Sequence, residues 1–261
     1  MLRICVLGSG SRGNSIYIGV NNTHLLIDVG LSCKEMEKRL AEIGVSPEEI
    51  NGILISHEHI DHIKGIPLLS SKFNIPVFSN RLTAGKIKEN IKNGVQKNLR
   101  LNIFLGGNIF EVNALEVKPF SVFHDAIDPV GFIVSYKDKK IAVATDLGFP
   151  SSLVKERLKG VDAIILESNY DIEMLKNSKR PWSLKQRIMG RQGHLSNIVA
   201  ANLLADVMHD DLQEIFLVHL SQDCNSPDLA LKTTREKVLN KSYQGNLRMT
   251  YQKSVSELVA L

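Results

Sequence analysis

The sequence predicts an α/β fold in which layered β-sheets carry helices on their outer faces. Three observations predict it. Short apolar runs of strand length alternate with amphipathic segments along the whole chain, and they come in two similar batches, each mixed. With 261 residues, 43% hydrophobic and 23% charged, the chain has the composition of a globular protein rather than a disordered one. Strands of this kind are buried on both faces when helices cover the sheets. No repeat, low-complexity tract or Pro/Ser-rich linker marks a boundary, so residues 1–261 are expected to form one domain.

The first strand is "RICVL", and the segment after it, "GSGSRGNS", poses a choice. Gly8, Gly10 and Gly13 spell G-x-G-x-x-G, and Asp28 stands at a suitable distance for a dinucleotide-binding fingerprint. That fingerprint needs a helix after the glycines, whose N-terminus holds the pyrophosphate. Instead "NSIYIGV", the turn pair "NN" and "THLLIDVG" read as two further strands, so the glycines make a turn between strands. Ser32 and Glu35 form a capping-box pattern, and Met36, Leu40 and Ile43 repeat at helical spacing, which predicts a helix over 32–43. "NGILIS" is a buried strand and "RLTAGKIKENI" a helix. Residues 100–144 hold the strands "LNIFL", "IFEV", "LEVKPFSVF", "GFIVSY" and "KIAVAT", separated by turns. "SSLVKERL" is a helix and "VDAIIL" a strand. A helix follows from Ser196, with Ile198, Ala201, Ala205 and Met208 at helical spacing. "EIFLV" is a strand, "PDLALKTTREKVLN" a helix, and "LRMTYQ" the last strand.

A net charge of +4 suits an anionic partner without requiring one. Cys5, Cys33 and Cys224 are odd in number and widely spaced, which argues against a disulfide framework and for a reducing compartment. The apolar run near the N-terminus is too short for a signal sequence, and no stretch approaches membrane length, so a cytoplasmic location and no membrane partner are expected.

The functional signal lies in the residues that end the apolar runs. "LLI" ends in Asp28, "GILIS" in His57, "KPFSVF" in His124, "IAVAT" in Asp146, "AIIL" in Glu167 and "IFLV" in His219. In α/β architectures such strand ends gather at one edge, where functional groups collect. The densest element is "SHEHIDH", in which His57, His59, Asp61 and His62 follow a strand directly. Imidazole and carboxylate suit zinc or manganese. Alternation along the loop lets His57 and His59 face one ion while Asp61 and His62 turn toward a second.

This order of motifs, H-x-H-x-D-H after a strand, a later lone His, an Asp on "TDLG" and a His after another strand, resembles the metallo-β-lactamase superfamily from the first strands to His219 and beyond. The resemblance implies a four-layer αββα sandwich of two similar halves with metals at one edge. It also implies that His57, His59 and His124 bind one metal, that Asp61, His62 and His219 bind the other, and that Asp146 bridges both. Two such cations can hold a hydroxide between them and clamp the oxygens of a displaced phosphate. Asp28 then becomes a candidate for orienting a ligand histidine.

The superfamily hydrolyses lactams, thioesters, lactones and phosphodiesters, and its redox branch carries Glu where this chain has His59. "LESNYD" and "GRQGHLSNIVAA" resemble elements with which phosphodiesterases of the superfamily place an extra Glu and His beside the metals. Here these are Glu167 and His194, so Asp61, Glu167 and His194 are the candidate catalytic residues. The carboxylate would orient the imidazole to assist departure of the leaving oxygen. The helix beginning at Ser196 and Asn197 offers amide donors to a phosphate. Lys176, Lys179, Arg180, Lys185, Arg187 and Arg191 surround Trp182, which could stack a base, and Lys86, Lys88, Lys92, Lys97 and Arg100 form a second basic segment with Glu89 against it.

Within the superfamily, "LGSGSRGNS", "SHEHIDHIKGI", "FHDA", "GHLSN" and "VHLSQDCN" are most similar to the YycJ/WalJ group of single-domain metallo-hydrolases, which implies 5′ to 3′ exonuclease activity on DNA. The second domain that cleavage-and-polyadenylation relatives insert between the Asp and the final His does not fit between Asp146 and His219. Asn14 and Ser15, on the turn beside the site, are candidates for touching substrate. The expectation is a phosphodiesterase using two divalent ions, Zn²⁺ or Mn²⁺, with DNA as partner and substrate. The alternatives are a small-molecule phosphodiesterase or ester hydrolase on the same site, and a non-catalytic metal-stabilised regulator, against which Glu167 and His194 speak.

Overall fold

The structure, a computed structural model, describes residues 1–90, 99–239 and 243–261. The first half runs β1 (Arg3–Gly8), β2 (Ser15–Val20), β3 (Thr23–Ile27), α1 (Cys33–Glu42), β4 (Ile50–Leu54), α2 (Ile60–Ile63), α3 (Ile66–Phe73), β5 (Val77–Ser79), α4 (Arg81–Asn90) and β6 (Leu101–Ile103). The second half follows with β7 (Phe110–Val112), β8 (Leu115–Ser121), β9 (Val130–Tyr136), β10 (Lys139–Ala144), α5 (Ser152–Leu158), β11 (Ala163–Glu167), α6 (Ile172–Asn177), α7 (Trp182–Met189), α8 (Asn197–Val207), β12 (Glu214–Val218), α9 (Pro227–Leu239) and β13 (Asn246–Met249). The strand β14 (Val259–Ala260) returns to pair with β1.

Among the described residues these strands form two sheets, ordered β14-β1-β2-β3-β4-β5-β6 and β13-β12-β11-β10-β9-β8-β7. Each sheet begins as an antiparallel meander and continues as parallel strands. The switch falls at the β3–β4 pair in one sheet and at β10–β11 in the other. Parallel neighbours require crossovers, and helices supply them.

The period-two alternation of the strands builds the layers. In β1, Ile4 and Val6 point between the sheets, while Cys5 and Leu7 point to the outer layer. In β11, Ala163 and Ile165 face inward, and Ile164 and Leu166 face outward. Between the sheets Ile18, Leu25 and Ile27 meet Phe132, Val143 and Phe216. Outside the first sheet Met36 and Leu40 of α1 and Leu69 of α3 cover it, and outside the second Val154 of α5, Leu204 of α8 and Ala230 of α9 do so. The result is the αββα sandwich in two similar halves.

Ser32 caps α1 by accepting from Glu35 N, but the Glu35 carboxylate accepts from Arg39 Nε at 2.7 Å instead of reaching back, so half of the expected capping box forms. The short β5 and β14, and the helices α3, α6 and α7, carry too few periodic positions to stand out in the sequence. The ends of two expected helices, Ile91 and Asn240, and the basic residues Lys92 and Lys97 lie outside the described residues. Cys5, Cys33 and Cys224 are buried and unpaired. No described helix is long and apolar enough to cross a membrane.

Candidate metal centre

The strand ends named from the sequence gather along one edge of the sandwich. Asp28 follows β3, the His57–His62 loop follows β4, and His124 follows β8. Asp146 follows β10, Glu167 closes β11 and His219 follows β12. Asp28, Asp146 and His219 leave their strands with φ of 60°, 45° and 57°, the left-handed region. Such backbone costs of order 1–3 kcal/mol per residue and persists where surrounding structure over-determines it.

The hydrogen bonds around the imidazoles assign their tautomers. Asp28 accepts from Ser56 N at 2.8 Å, from Ser56 Oγ at 2.7 Å and from His62 Nδ1 at 2.7 Å. With its proton spent on Asp28, the Ser56 hydroxyl accepts from His57 Nδ1 at 2.9 Å. Gly193 O accepts from His124 Nδ1 at 3.0 Å, and Glu167 Oε1 accepts from His219 Nδ1 at 2.8 Å. Each of these four rings therefore turns Nε2 inward. His59 is reversed, its Nδ1 standing 3.3 Å from His124 Nε2.

The inward atoms fall into overlapping sets, each with all members within 4.8 Å. His57, His59 and His124 form one, Asp61, His62 and His219 a second, and His57, His62 and Asp146 a third that joins them. Asp146 Oδ2 is 2.9 Å from His62 Nε2 and Asp146 Oδ1 is 3.7 Å from His124 Nε2, so its two oxygens reach toward both sets. Asp61 Oδ2 lies 3.6 Å from the Nε2 atoms of both His62 and His219.

These residues fit divalent cations. His57 Nε2, His219 Nε2 and Asp146 Oδ2 are buried without an aligned hydrogen-bond partner. Each such orphan costs about 1–3 kcal/mol unless compensated. Orphaned polar atoms within overlapping sets of imidazole and carboxylate donors match the ligand chemistry of zinc or manganese.

The electrostatics divide the imidazoles. Burial, aided by the neighbouring imidazoles, holds His57 well below the usual histidine value, and burial also lowers His124. These two rings offer free lone pairs. Around His219 burial opposes protonation, but Asp146, Asp61 and Glu167 outweigh it and push the ring up to about 10. His62 is raised for the same reason by Asp146 and Asp28. Burial would lift Asp146, yet His219 and His62 together hold its carboxyl well below the ordinary range.

Glu167 is completely buried and satisfied on both oxygens. Oε1 accepts from His194 Nδ1 at 2.7 Å as well as from His219, and Oε2 accepts from Leu147 N at 3.1 Å and Leu195 N at 2.9 Å. The sequence pairs Glu167 with His194, and the structure adds His219 to its partners. His194 keeps 22% of its side chain exposed, toward a cleft of about 250 Å³ that Asp61, His124 and Asp146 also line.

Arg180 and Arg187 line the same cleft, paired with Asp223 and Asp125 respectively. Trp182 is 60% exposed at the start of α7 and is not part of the lining. Several expected substrate contacts need correction. Ser15 is fully buried and donates to Asp28 O, and Asn14 is buried with its amide turned to Asp61 and His62. Both brace the ligand loop. Ser196 and Asn197 are buried too. Ser196 Oγ caps Val199 N, Asn197 N donates to Tyr170 O, and the Asn197 side chain bonds Ser168 and Asn225, so the polar groups of these two residues are spent within the protein. Lys185 is buried, donating to the carbonyls of Lys176 and Ser178. Lys86, Lys88 and Arg100 do not line the cleft. Ser56 and Asp125, whose Oδ1 lies 3.3 Å from His124 Nε2, belong to the site although the sequence alone assigned them no role. The place of Asp125 directly after His124 in "FHDA" was the available signal.

Known proteins bear on this geometry. The model of the metallo-beta-lactamase superfamily matches residues 8–194. The exodeoxyribonuclease YycJ of Bacillus anthracis is 37% identical over 242 residues, covering 93% of this chain and 91% of the relative. The exodeoxyribonuclease WalJ of Streptococcus pneumoniae is 34% identical over 228 residues, covering 87% and 85%. The metallo-beta-lactamase fold protein YhfI from Bacillus subtilis shares the fold with a TM-score of 0.75 at 14% identity, over 98% of this chain and all of that one. An αββα sandwich with histidines and aspartates gathered at one edge, a family match across most of the chain and relatives this similar lead to one conclusion: the chain belongs to the metallo-β-lactamase superfamily.

Proposed function

We propose that this chain is a metal-dependent phosphodiesterase that cleaves DNA, an exonuclease working in the 5′ to 3′ direction with two divalent ions, zinc or manganese. Residues 1–261 act as one catalytic unit, and the three unpaired cysteines favour a cytoplasmic setting. The observation that carries the reading is the pair of donor sets joined through Asp146, with His194 and Glu167 standing beside them. The likeness to two exodeoxyribonucleases supports DNA as the substrate.

His57, His59 and His124 would hold one ion, Asp61, His62 and His219 the other, with Asp146 shared. Bound there, the cations supply an activated water and neutralise charge on the phosphate. The chain's own groups do the rest. Asp28 and Ser56 lock His62 and His57 in the tautomers that present Nε2. Glu167 holds His194 by Nδ1, which leaves His194 Nε2 facing the cleft. The same carboxylate raises the affinity of this ring for a proton, so Nε2 can give one to the departing oxygen. Arg180 and Arg187 at the rim attract the polyanion.

A second reading, a small-molecule phosphodiesterase or ester hydrolase, is favoured by the modest size of the cleft. Incubating metal-loaded protein with end-labelled single- and double-stranded DNA and RNA, under Mn²⁺ and Zn²⁺ separately, tests the proposal. Mononucleotide release from the 5′ end of DNA is expected. Cleavage of a chromogenic bis-phosphodiester with no cleavage of any DNA would replace it with the second reading.

A further inference from the structure

Beside the metal cleft lies a larger concavity of about 620 Å³, lined by Phe123, Asp125, Arg187, Gly190, Arg191 and Gln192. Asp125 and Arg187, paired with each other, line both hollows, so the two are adjacent. Two residues of its lining, Phe123 and Arg191, pack on the ring of Phe149 behind them. Phe123 is 43% exposed and sets its ring edge-on to Phe149, with centroids 5.9 Å apart at 90°. The Arg191 guanidinium stacks 4.0 Å above the Phe149 ring and stands 5.9 Å from Phe123.

The segments that build this wall are those that carry the metal-site residues. Phe123 precedes His124, Phe149 lies on the turn after Asp146, and Arg191 lies on the loop that leads to His194. They are joined by one backbone–backbone and one side chain–backbone hydrogen bond. Gly148 N donates to Phe123 O at 2.7 Å, and His124 Nδ1 donates to Gly193 O. A Cβ on Gly148 would come within 2.5 Å of Arg191 O, and one on Gly193 would collide with Ile188 O. The aromatic wall is therefore held in a fixed relation to the metal centre, on the side where His124 and His194 stand.

Aromatic rings and arginine planes in a positively charged groove are what unpaired nucleobases stack on, without regard to sequence. We propose that Phe123, with Arg191 beside it, forms a base-stacking subsite for the nucleotide flanking the scissile phosphate on the His194 side. This rests on the nucleic-acid reading of the metal centre. Arg187, shared between the two hollows and paired with Asp125, would meet the connecting phosphate. A base still paired and stacked in a duplex cannot enter, so the subsite selects single-stranded or frayed ends.

Two readouts test this, one of them independent of turnover. Single-stranded DNA 12-mers carrying 2-aminopurine at successive positions from the 5′ end are titrated with metal-loaded protein in Ca²⁺. One position should be quenched strongly by the wild type, less by Phe123→Ala, and again by Phe123→Trp. In steady-state assays Phe123→Ala should raise KM about tenfold with a smaller change in kcat. An abasic nucleotide at the quenched position should do the same, and the two changes together should cost no more than either alone. Wild-type cleavage of DNA that is indifferent to both changes, with equal quenching by all three proteins, overturns the subsite while leaving the nuclease reading intact. Absence of DNA cleavage with position-specific quenching that Phe123→Ala removes sinks the nuclease reading and keeps the subsite.

Discussion

Asp28 sets two imidazoles with one carboxylate, His62 directly and His57 through the Ser56 hydroxyl. Replacing it by Asn keeps the volume but swaps an acceptor oxygen for a donor amide, which favours the wrong tautomer of at least one ring. Asp28→Asn should weaken metal binding about 10–100-fold, as read by competition with a chromogenic chelator, with activity recovering at saturating metal. His194 differs in kind, because its partner Glu167 also holds His219 and remains satisfied without it. His194→Ala should retain the full complement of metal and lose about 10²–10⁴-fold in kcat on DNA. Unchanged turnover would remove His194 from the mechanism. The surrounding carboxylates keep a proton on His219 up to about 10, so at neutral pH that proton competes with a cation for Nε2. Affinity at the Asp61, His62 and His219 set should therefore rise with pH by about tenfold per unit for one displaced proton. Burial lowers His57 and His124, so affinity at their set should vary less over the same range. Calorimetric titrations in two buffers of different ionisation heat will count the protons released.

The candidate metal ligands owe their positions to how the elements meet. Besides the side-chain bonds from Asn14 and Asp28, α2 is clamped through its backbone: Asn14 N donates to Asp61 O at 2.8 Å and Val29 N to His62 O at 2.7 Å. Gly30 lies against this clamp, and a Cβ there would collide with the Asp61 carbonyl. Gly30→Ala should cost about 3 kcal/mol and lower occupancy of the second metal, measured by chemical denaturation and metal analysis. Full stability and full metal content in that variant would show that the loop can yield. The glycines of the opening turn serve this same junction, since Gly30 N donates to Asn14 O at the end of the β1–β2 turn. α7 shows the opposite lesson. Its Lys185 and Arg187 read as members of one basic cluster, yet Lys185 turns inward to bind two carbonyls while Arg187 turns out to the cleft.

Across the whole molecule the candidate metal centre draws on both sheets. His57, His59, Asp61 and His62 follow a strand of the first sheet, and His124, Asp146 and His219 follow strands of the second. Cations bound to both would hold the sandwich together at its functional edge. Metal at 100–1,000 times its dissociation constant stabilises by about 3–4 kcal/mol, which for a chain of this size corresponds to roughly 10 °C in Tm. Chelation should lower Tm by about that amount, as read by scanning calorimetry. A Tm indifferent to chelator would mean that the sheets hold together equally well without the ions.

The sequence by itself determined the strands that carry the site and the identity of the residues that end them, because strand periodicity and the placement of Asp28, His57, His124, Asp146, Glu167 and His219 are local properties of the chain. Which polar side chains face solvent is not local. Asn14, Ser15, Ser196 and Asn197 have the composition of a substrate-binding turn and a helix N-terminus, yet packing buries all four and spends their hydrogen bonds on the scaffold. The converse holds for Phe123, an apolar residue at the end of a strand that the fold leaves 43% exposed beside Arg191. Burial depends on which residues the rest of the chain brings alongside, and only the tertiary structure decided that.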